Sequence, residues 1–361
     1  MATHFHKLKV ADLRQETPEC VSIAFHIPDE LKNEFAFTHG QNITLRTTID
    51  GDEVRRSYSI CSSPLDKELR VAVKLAAFGR FSTWANTKLK KGDIVDVLSP
   101  TGKFYTELNS SHKKNYIAFA AGSGITPVIS IIKTTLATEP NSRFTLVYGN
   151  RNRTNIIFKE ELEALKNRYM DRLAIHYILS REKTDAEVYY GRINVDKLNQ
   201  LSEKLINIHQ ANELFICGPE EMIFGVKNWL LEKGVDSRKI HFELFTTPGQ
   251  SSAMRREQLA TRKEVEEKTS KVTIKLDGVS FAFDLPFHGD TIQEAALKQG
   301  ADLPFSCKGG VCATCKAKLL QGKVDMDVHY ALEQEEVDEG YILTCQSHPR
   351  TETVTIDFDI K

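Results

Sequence analysis

Net charge is almost absent from this sequence. Its 48 Lys and Arg against 49 Asp and Glu leave −1 over 361 residues, so the overall balance gives no reason to expect a nucleic-acid partner. Long apolar runs are missing too. The longest uncharged stretch, YIAFAAGSGITPVISII at 116 to 132, falls short of the ~20 residues a membrane span needs and is broken by glycine and proline. It reads instead as a buried strand running into a helix. The opening MATHFHKLKV has neither an apolar segment nor a cleavage-like site, so no secretory signal is expected. His4 and His6 there read as tail residues rather than a metal pair. No G-x-S-x-G or H-E-x-x-H occurs, and no acid–base triad is called for. The remaining composition, 41% hydrophobic and 27% charged, is that of a globular chain, and the length suits two or three domains.

Cysteine is distributed unevenly. Cys20, Cys61 and Cys217 are scattered, while Cys307, Cys312, Cys315 and Cys345 crowd the last quarter. An odd total of seven and no secretory signal argue against a disulfide framework. A cytoplasmic location is the expectation, and metal binding is the natural use of the late group. Its spacing is C-x4-C-x2-C followed, after 29 residues, by the fourth cysteine. Zinc sites usually pair C-x2-C with a second close pair, which is missing here. The pattern is instead the plant-type spacing for a [2Fe–2S] cluster, four thiolates on two irons; a structural zinc knuckle is the competing reading. Gly309 and Gly310 allow a tight loop whose N–H groups face the sulfurs. Such hydrogen bonds tune the potential.

The flanks agree. KVTIKLDGVSFAFDL alternates as strand, turn at Asp277-Gly278, strand. DTIQEAALKQG reads as a capped helix closed by Gly300, and AKLLQGKV and TVTIDFDI supply further strands. Residues 271 to 361 thus resemble a plant-type ferredoxin domain. A one-electron carrier needs a donor and an acceptor, so the rest of the chain should hold at least one.

Residues 1 to 108 are rich in short alternating strands separated by turn signals, which suggests a small β-barrel. Within it RRSYSICSS contains R-x-Y-S-x-x-S, with Arg56, Tyr58, Ser59 and Ser62. On a strand Arg56 and Tyr58 share a side. An arginine can clamp a pyrophosphate, and a tyrosine face can cover a flavin ring. Val73 and Lys74 follow in VKL. In GRFSTW, Gly79, Phe81, Ser82 and Thr83 open a helix whose N-terminus suits a phosphate. With SPTGKFY closing the segment, the order resembles the FAD-binding domain of the ferredoxin reductase superfamily. The phosphate-ready loop favours FAD over FMN, which some relatives with a C-terminal ferredoxin use.

From 109 to 246 strands alternate with helical stretches, the pattern of a parallel α/β sheet. The turn GSGITP follows a strand and opens a helix, so a pyrophosphate can meet N–H groups there. With YGNR and CGPEEM, the segment resembles the pyridine-nucleotide domain of the same superfamily. That resemblance implies that Gly122, Ser123, Gly124 and Thr126 line the phosphates and nicotinamide path, with Cys217 and Gly218 near hydride transfer. Tyr58, Ser59 and Cys217 are the candidate catalytic residues. Ser180 and Arg181 in LSRE, supported by Arg192, suit the 2′-phosphate of NADPH rather than NADH; the adjacent Glu182 weighs the other way.

Residues 247 to 270 have the composition of a linker. Residues 271 to 361 carry fifteen acidic and nine basic side chains, a net −6, leaving +5 on the remainder. Opposite signs favour docking, although EQEEVDE at 333 to 339 also reads as a solvated loop. Across the whole chain, three domains are expected: barrel, parallel sheet and a ferredoxin-like α+β (β-grasp) fold. Their order resembles the reductase components of bacterial multicomponent oxygenases, nearest the phenylacetyl-CoA epoxidase group. The resemblance implies electron flow from NADPH to FAD to [2Fe–2S] to a separate di-iron oxygenase component, with no nucleic acid or membrane involved. Reductases for another hydroxylase, a desaturase or a hybrid-cluster protein fit the same motifs. A plain electron carrier with inactive nucleotide sites is the non-enzymatic alternative.

Overall fold

The computed structural model describes residues 4–245 and 268–360. They fall into two compact units, one within residues 7–245 and one built on 268–360. The expected linker lies outside the described residues except for its last three, of which Thr269 and Ser270 already belong to a strand. Among the described residues no helix is long and apolar enough to cross a membrane.

The larger unit begins with strands β1 Phe5–Thr17, β2 Cys20–His26, β3 Asn42–Ile49, β4 Asp52–Ser59, β5 Leu69–Lys74 and β6 Ile94–Leu98, in sheet order β4-β3-β6-β1-β2-β5. The two ends of this sheet meet where Ile60, just past β4, bridges Val71 of β5. The sheet therefore closes on itself as a barrel, as its alternating pattern predicts. Leu69, Val71 and Val73 of β5 enter the interior with Val10, Ile23, Ile43 and Leu45. The buried Arg70 between them is compensated by Asp12 at 2.6 Å and Glu68 at 2.8 Å, as a buried cation must be. Helix α1, Arg80–Thr87, covers the barrel with Phe81 and Ala85.

The second half of this unit is a parallel sheet of β7 Asn115–Ala121, β8 Arg143–Asn150, β9 Leu173–Leu179, β10 Glu213–Gly218 and β11 Ile240–Leu244, in order β11-β10-β7-β8-β9. Helices α2 Ile125–Thr138, α3 Lys159–Arg168, α4 Val195–Lys204 and α5 Glu220–Glu232 connect its strands. Strands buried on both faces read as continuous apolar runs, which is why YIAFAA lacks alternation. From β7 the chain proceeds to β8 and β9 on one side, while β10 and β11 lie on the other. The gap between β7 and β10 is therefore a topological switch point, where ligands bind doubly wound sheets.

Glu139 closes the far end of α2. It is fully buried and meets Tyr116 Oη at 2.9 Å, Ser142 Oγ at 2.6 Å, the Asn109 amide at 3.1 Å and His112 Nδ1 at 2.8 Å. Burial pushes this carboxyl up, but those hydrogen bonds outweigh it and hold the group below the ordinary range.

The smaller unit is a mixed sheet of β12 Thr269–Leu276, β13 Val279–Pro286, β14 Lys316–Gln321, β16 Tyr341–Leu343 and β18 Thr353–Asp357, in order β13-β12-β18-β14-β16. A two-stranded ribbon joins β15 Val324–Met326 to β17 Ser347–Pro349. The hairpin turn falls at Asp277 and Gly278, both at positive φ, as a two-residue turn of that hand requires. Helix α6, Ile292–Lys298, starts in a capping box of Thr291 and Glu294 and packs Ile292 and Ala296 onto the sheet core. Helix α7, Gln334–Asp338, carries the acidic run. Parallel pairing of β12 with β18 and antiparallel pairing on either side give the ferredoxin-like fold.

The substitution Glu139→Ala strands several buried donors at once. We expect a loss of about 3 kcal/mol in unfolding free energy, read by denaturant melts. Because the folded pKa is lowered, the stability this group contributes is present above pH ~4.5 and disappears as pH falls through the lowered value. The gap between wild type and variant should accordingly shrink in acid.

Candidate functional site

Three places hold the residues expected to carry chemistry. At the switch point, β7 ends in a turn, Gly122–Gly124, that leads directly into α2 with no side chain capping it. Gly122 sits at φ +55°. A Cβ on Gly124 would stand 2.1 Å from the carbonyl oxygen of Cys217, so only glycine lets this turn touch the end of β10. Thr126 is buried and donates to the Ser123 carbonyl at 3.0 Å, which fixes the turn. The Ile125 amide closes the turn onto the Gly122 carbonyl and Pro127 has no N–H, so an anion would meet the glycine turn itself at the positive end of the α2 dipole.

Around that turn lies a cleft of about 780 Å³. Gly122, Ser123, Gly218, Ser180, Arg181 and Arg192 all line it, so residues far apart in sequence share one wall. Ser180 and Arg181 are held by backbone bonds to the carbonyls of Asn150 (2.9 Å) and Arg151 (2.8 Å). Glu182 turns elsewhere: it accepts from the Arg153 amide at 2.8 Å and pairs with the Arg153 guanidinium at 3.3 Å. Arg151 and Asn155 also line the cleft and were not anticipated, although YGNR could have suggested the arginine. Lys74, expected at the flavin, lies in this cleft as well. Its Nζ is 3.5 Å from where a Gly122 Cβ would be. Burial, and then Arg151, hold this ammonium below its ordinary pKa.

The barrel carries the second group. Arg56 and Tyr58 are half-buried neighbours on β4, and the Tyr58 ring packs on Phe81 with centroids 5.4 Å apart. Phe81 and Val73 belong to the barrel core, so they support the site from beneath and can reach a ligand only through backbone. Ser62 is buried and takes the Arg70 amide at 3.1 Å. Ahead of α1 a turn closes from Gly79 N to Ala76 O at 3.0 Å. The Ser82 hydroxyl locks it, accepting from Ala76 N at 3.1 Å and donating to Gly79 O at 3.0 Å. Thr83 stands exposed beside it. Together these leave the α1 N-terminus open to a phosphate, next to an aromatic face.

A residue that no motif points to links the two halves. Glu243 on β11 is the register partner of Cys217 on β10, and its carboxylate accepts from Ser59 Oγ at 2.8 Å. Its carboxyl end lies deep in the protein, while the residue as a whole keeps some accessible surface. Burial pushes its pKa up to about 7, against opposing hydrogen bonds from Ser59 and Asn42. Cys217 is fully buried, and burial together with the Glu243 carboxylate pushes its thiol well above the ordinary range. It is therefore a neutral wall and not a thiolate nucleophile. The signal for Glu243 was one acidic residue in the apolar strand IHFEL, which sequence spacing could not connect to Ser59.

The third group is the thiol cluster. Cys307 contacts Cys312 and Cys345, and Cys345 in turn contacts Cys315. The loop makes this possible through positive φ at Lys308, Gly310 and Ala313. Gly309 N donates to Cys307 Sγ at 3.3 Å. Among the described residues no three Cys, His, Asp or Glu side chains close round a single ion. Four thiols strung in contact suit the donor demand of a two-iron cluster. Contact with Cys307, and then burial, raise Cys312 well above its ordinary pKa. A raised thiol holds its proton, so loading a metal on Cys312 must release one.

Comparison with known proteins bears on all three. Residues 7–105 match the family model described as oxidoreductase FAD-binding domain, 119–228 the oxidoreductase NAD-binding domain, and 274–350 the 2Fe-2S iron-sulfur cluster binding domain. A flavin domain, a nucleotide domain and an iron–sulfur domain on one chain define an electron-transfer oxidoreductase. The sequence is 43% identical to one of the subunits of 1,2-phenylacetyl-CoA epoxidase from Escherichia coli K12, over 99% of both chains. It is 34% identical to the ferredoxin reductase component of 3-ketosteroid-9-alpha-monooxygenase from Rhodococcus rhodochrous, over 97% of this chain and 96% of that one. Phthalate dioxygenase reductase shares the fold over 98% of both chains, with a TM-score of 0.58 at 24% identity. The chain belongs to the ferredoxin reductase superfamily, in the group of oxygenase reductases that end in a plant-type 2Fe–2S domain.

Gly124→Ala should be among the most damaging single-methyl changes in the larger unit. Either the turn or β10 must shift, at a cost of about 1–3 kcal/mol. Nucleotide binding, read by calorimetry, should weaken before the flavin is lost.

Proposed function

We propose that this chain takes electrons from NADPH and delivers them, one at a time, to a separate di-iron oxygenase component of the phenylacetyl-CoA epoxidase type. The observation that carries the partner is the 43% identity, over 99% of both chains, to a component of that epoxidase. Bound in the three sites, nicotinamide, flavin and cluster together supply the conversion of a two-electron hydride donor into a source of single electrons.

The protein's own part is binding and placement. The Gly122–Gly124 turn and the α2 N-terminus receive the nucleotide pyrophosphate, with Lys74 adding positive charge. Arg181 and Arg192, with the Ser180 hydroxyl, take the 2′-phosphate. Glu182 does not oppose them, because its charge is spent on Arg153. Arg56 and the open start of α1 at Gly79, Ser82 and Thr83 would hold the FAD phosphates, and Tyr58 would offer its ring face to the flavin. Gly218 lines the cleft at the end of β10, with the neutral Cys217 packed behind it. Ser59 Oγ and Glu243 hold a proton next to Cys217, since a carboxyl with a pKa near 7 is available in both states. Cys307, Cys312, Cys315 and Cys345 bind the cluster.

Anaerobic titration with NADPH and with NADH, followed by visible absorbance and EPR, tests the reading. Flavin bleaching followed by a rhombic reduced-cluster signal is expected, at lower concentration for NADPH. A bleached flavin with no cluster signal would sink the relay. Arg181→Ala and Arg192→Ala should each weaken NADPH binding about tenfold while sparing NADH, the value of one charge-assisted contact. Electron delivery to a purified phenylacetyl-CoA oxygenase component, against a ring-hydroxylating one, decides the partner.

Glu243→Gln gives a pH test. With its folded pKa raised from 4.5 to about 7, the stability linked to protonated Glu243 is full below pH ~4.5 and lost as pH rises through ~7. The glutamine variant should therefore gain on wild type as pH rises from ~4.5 to ~7, by roughly 1–3 kcal/mol, and level off above that. The step near pH 7 in the rate of flavin reduction should disappear with it.

A further inference from the structure

The residue after the fourth cluster cysteine is Gln346, buried at 5% exposure. Its side-chain nitrogen lies 3.1 Å from the Lys308 carbonyl, 2.8 Å from the Cys345 carbonyl and 3.6 Å from Cys345 Sγ. All three are acceptors, so the amide must present its NH2 end to them. The stem is held as well as the head. A Cβ on Gly310 would stand 3.0 Å from Gln346 Cγ and 2.8 Å from Val328 Cγ2, so the glycine loop lies directly on this side chain. Lys308, whose carbonyl Gln346 holds, has φ +52°. That left-handed conformation is uncommon outside glycine and needs outside support. Gln346 thus joins the loop that carries Cys307 to the separate strand connection that carries Cys345.

Such a clamp has an electronic consequence. One-electron reduction adds negative charge to a cluster and its thiolates, and an N–H donor at a ligand sulfur stabilises that charge. We propose that Gln346 is a positioning residue that sets the reduction potential of the cluster, by fixing the Cys307 loop and by donating its amide to Cys345 Sγ. This rests on the reading that Cys307, Cys312, Cys315 and Cys345 hold the cluster.

The test uses the full-length holoprotein and Gln346→Met, which keeps the stem length against Gly310 and removes the donor. In an EPR-monitored redox titration, the ratio of reduced to oxidised cluster at a fixed potential should fall about two- to tenfold, the worth of one hydrogen bond. A loaded variant whose potential and EPR spectrum match wild type overturns the proposal. A second measurement needs no variant. With wild type carrying 15N-labelled glutamine side chains, pulsed EPR of the reduced cluster should reveal coupling to an amide nitrogen, and finding no such coupling overturns the proposal even if Gln346→Met fails to load. Wild-type protein without cluster absorbance would instead remove the underlying reading, a separate outcome.

Discussion

Backbone meets backbone where Gly124 lies against the carbonyl of Cys217, and much of the larger unit follows from that approach. It brings the start of α2 to the end of β10 at the point where the sheet changes direction. The Gly122–Gly124 turn, the neutral thiol of Cys217 and the Glu243–Ser59 pair are then within one small region. Any side chain at position 124 would wedge the two strand ends apart. The remaining cleft residues are hung from the same frame: Arg181 and Ser180 reach it because β8 and β9 are in register with β7.

The unit handles buried charge in two opposite ways. Glu139 lies far from the cleft and is surrounded by donors, so it stays ionised and locks α2 to β7. Glu243, beside Cys217 and Ser59, has fewer donors, so burial wins and the proton is retained near neutrality. The same side chain is structural in one place and titratable in the other because the number of hydrogen bonds differs. In the smaller unit Cys312 is raised for a different reason, contact with Cys307 first and burial second.

The three modules were legible because each carries a local motif. A cysteine ladder, a glycine turn between strand and helix, and an R-x-Y-S strand each place their groups within a few residues, where chain geometry leaves little freedom. The hairpin at Asp277-Gly278 and the capped helix after it were readable for the same reason. Lys74 belongs to a barrel strand, which points to the flavin, yet its ammonium reaches the nucleotide cleft. Glu182 counts against NADPH in the sequence, until the fold ties it to Arg153.

What the sequence determined by itself is the set of modules and their chemistry, since short-range spacing of Cys, Gly, Arg and Tyr suffices to build each donor set. What only the tertiary structure decided is how distant segments complete those sets. Glu243 reaches Ser59 across 184 positions, and Gln346 reaches Lys308 across 38. Neither contact has a periodicity or a motif. Each exists because strand order and loop closure bring together side chains that the chain itself keeps apart.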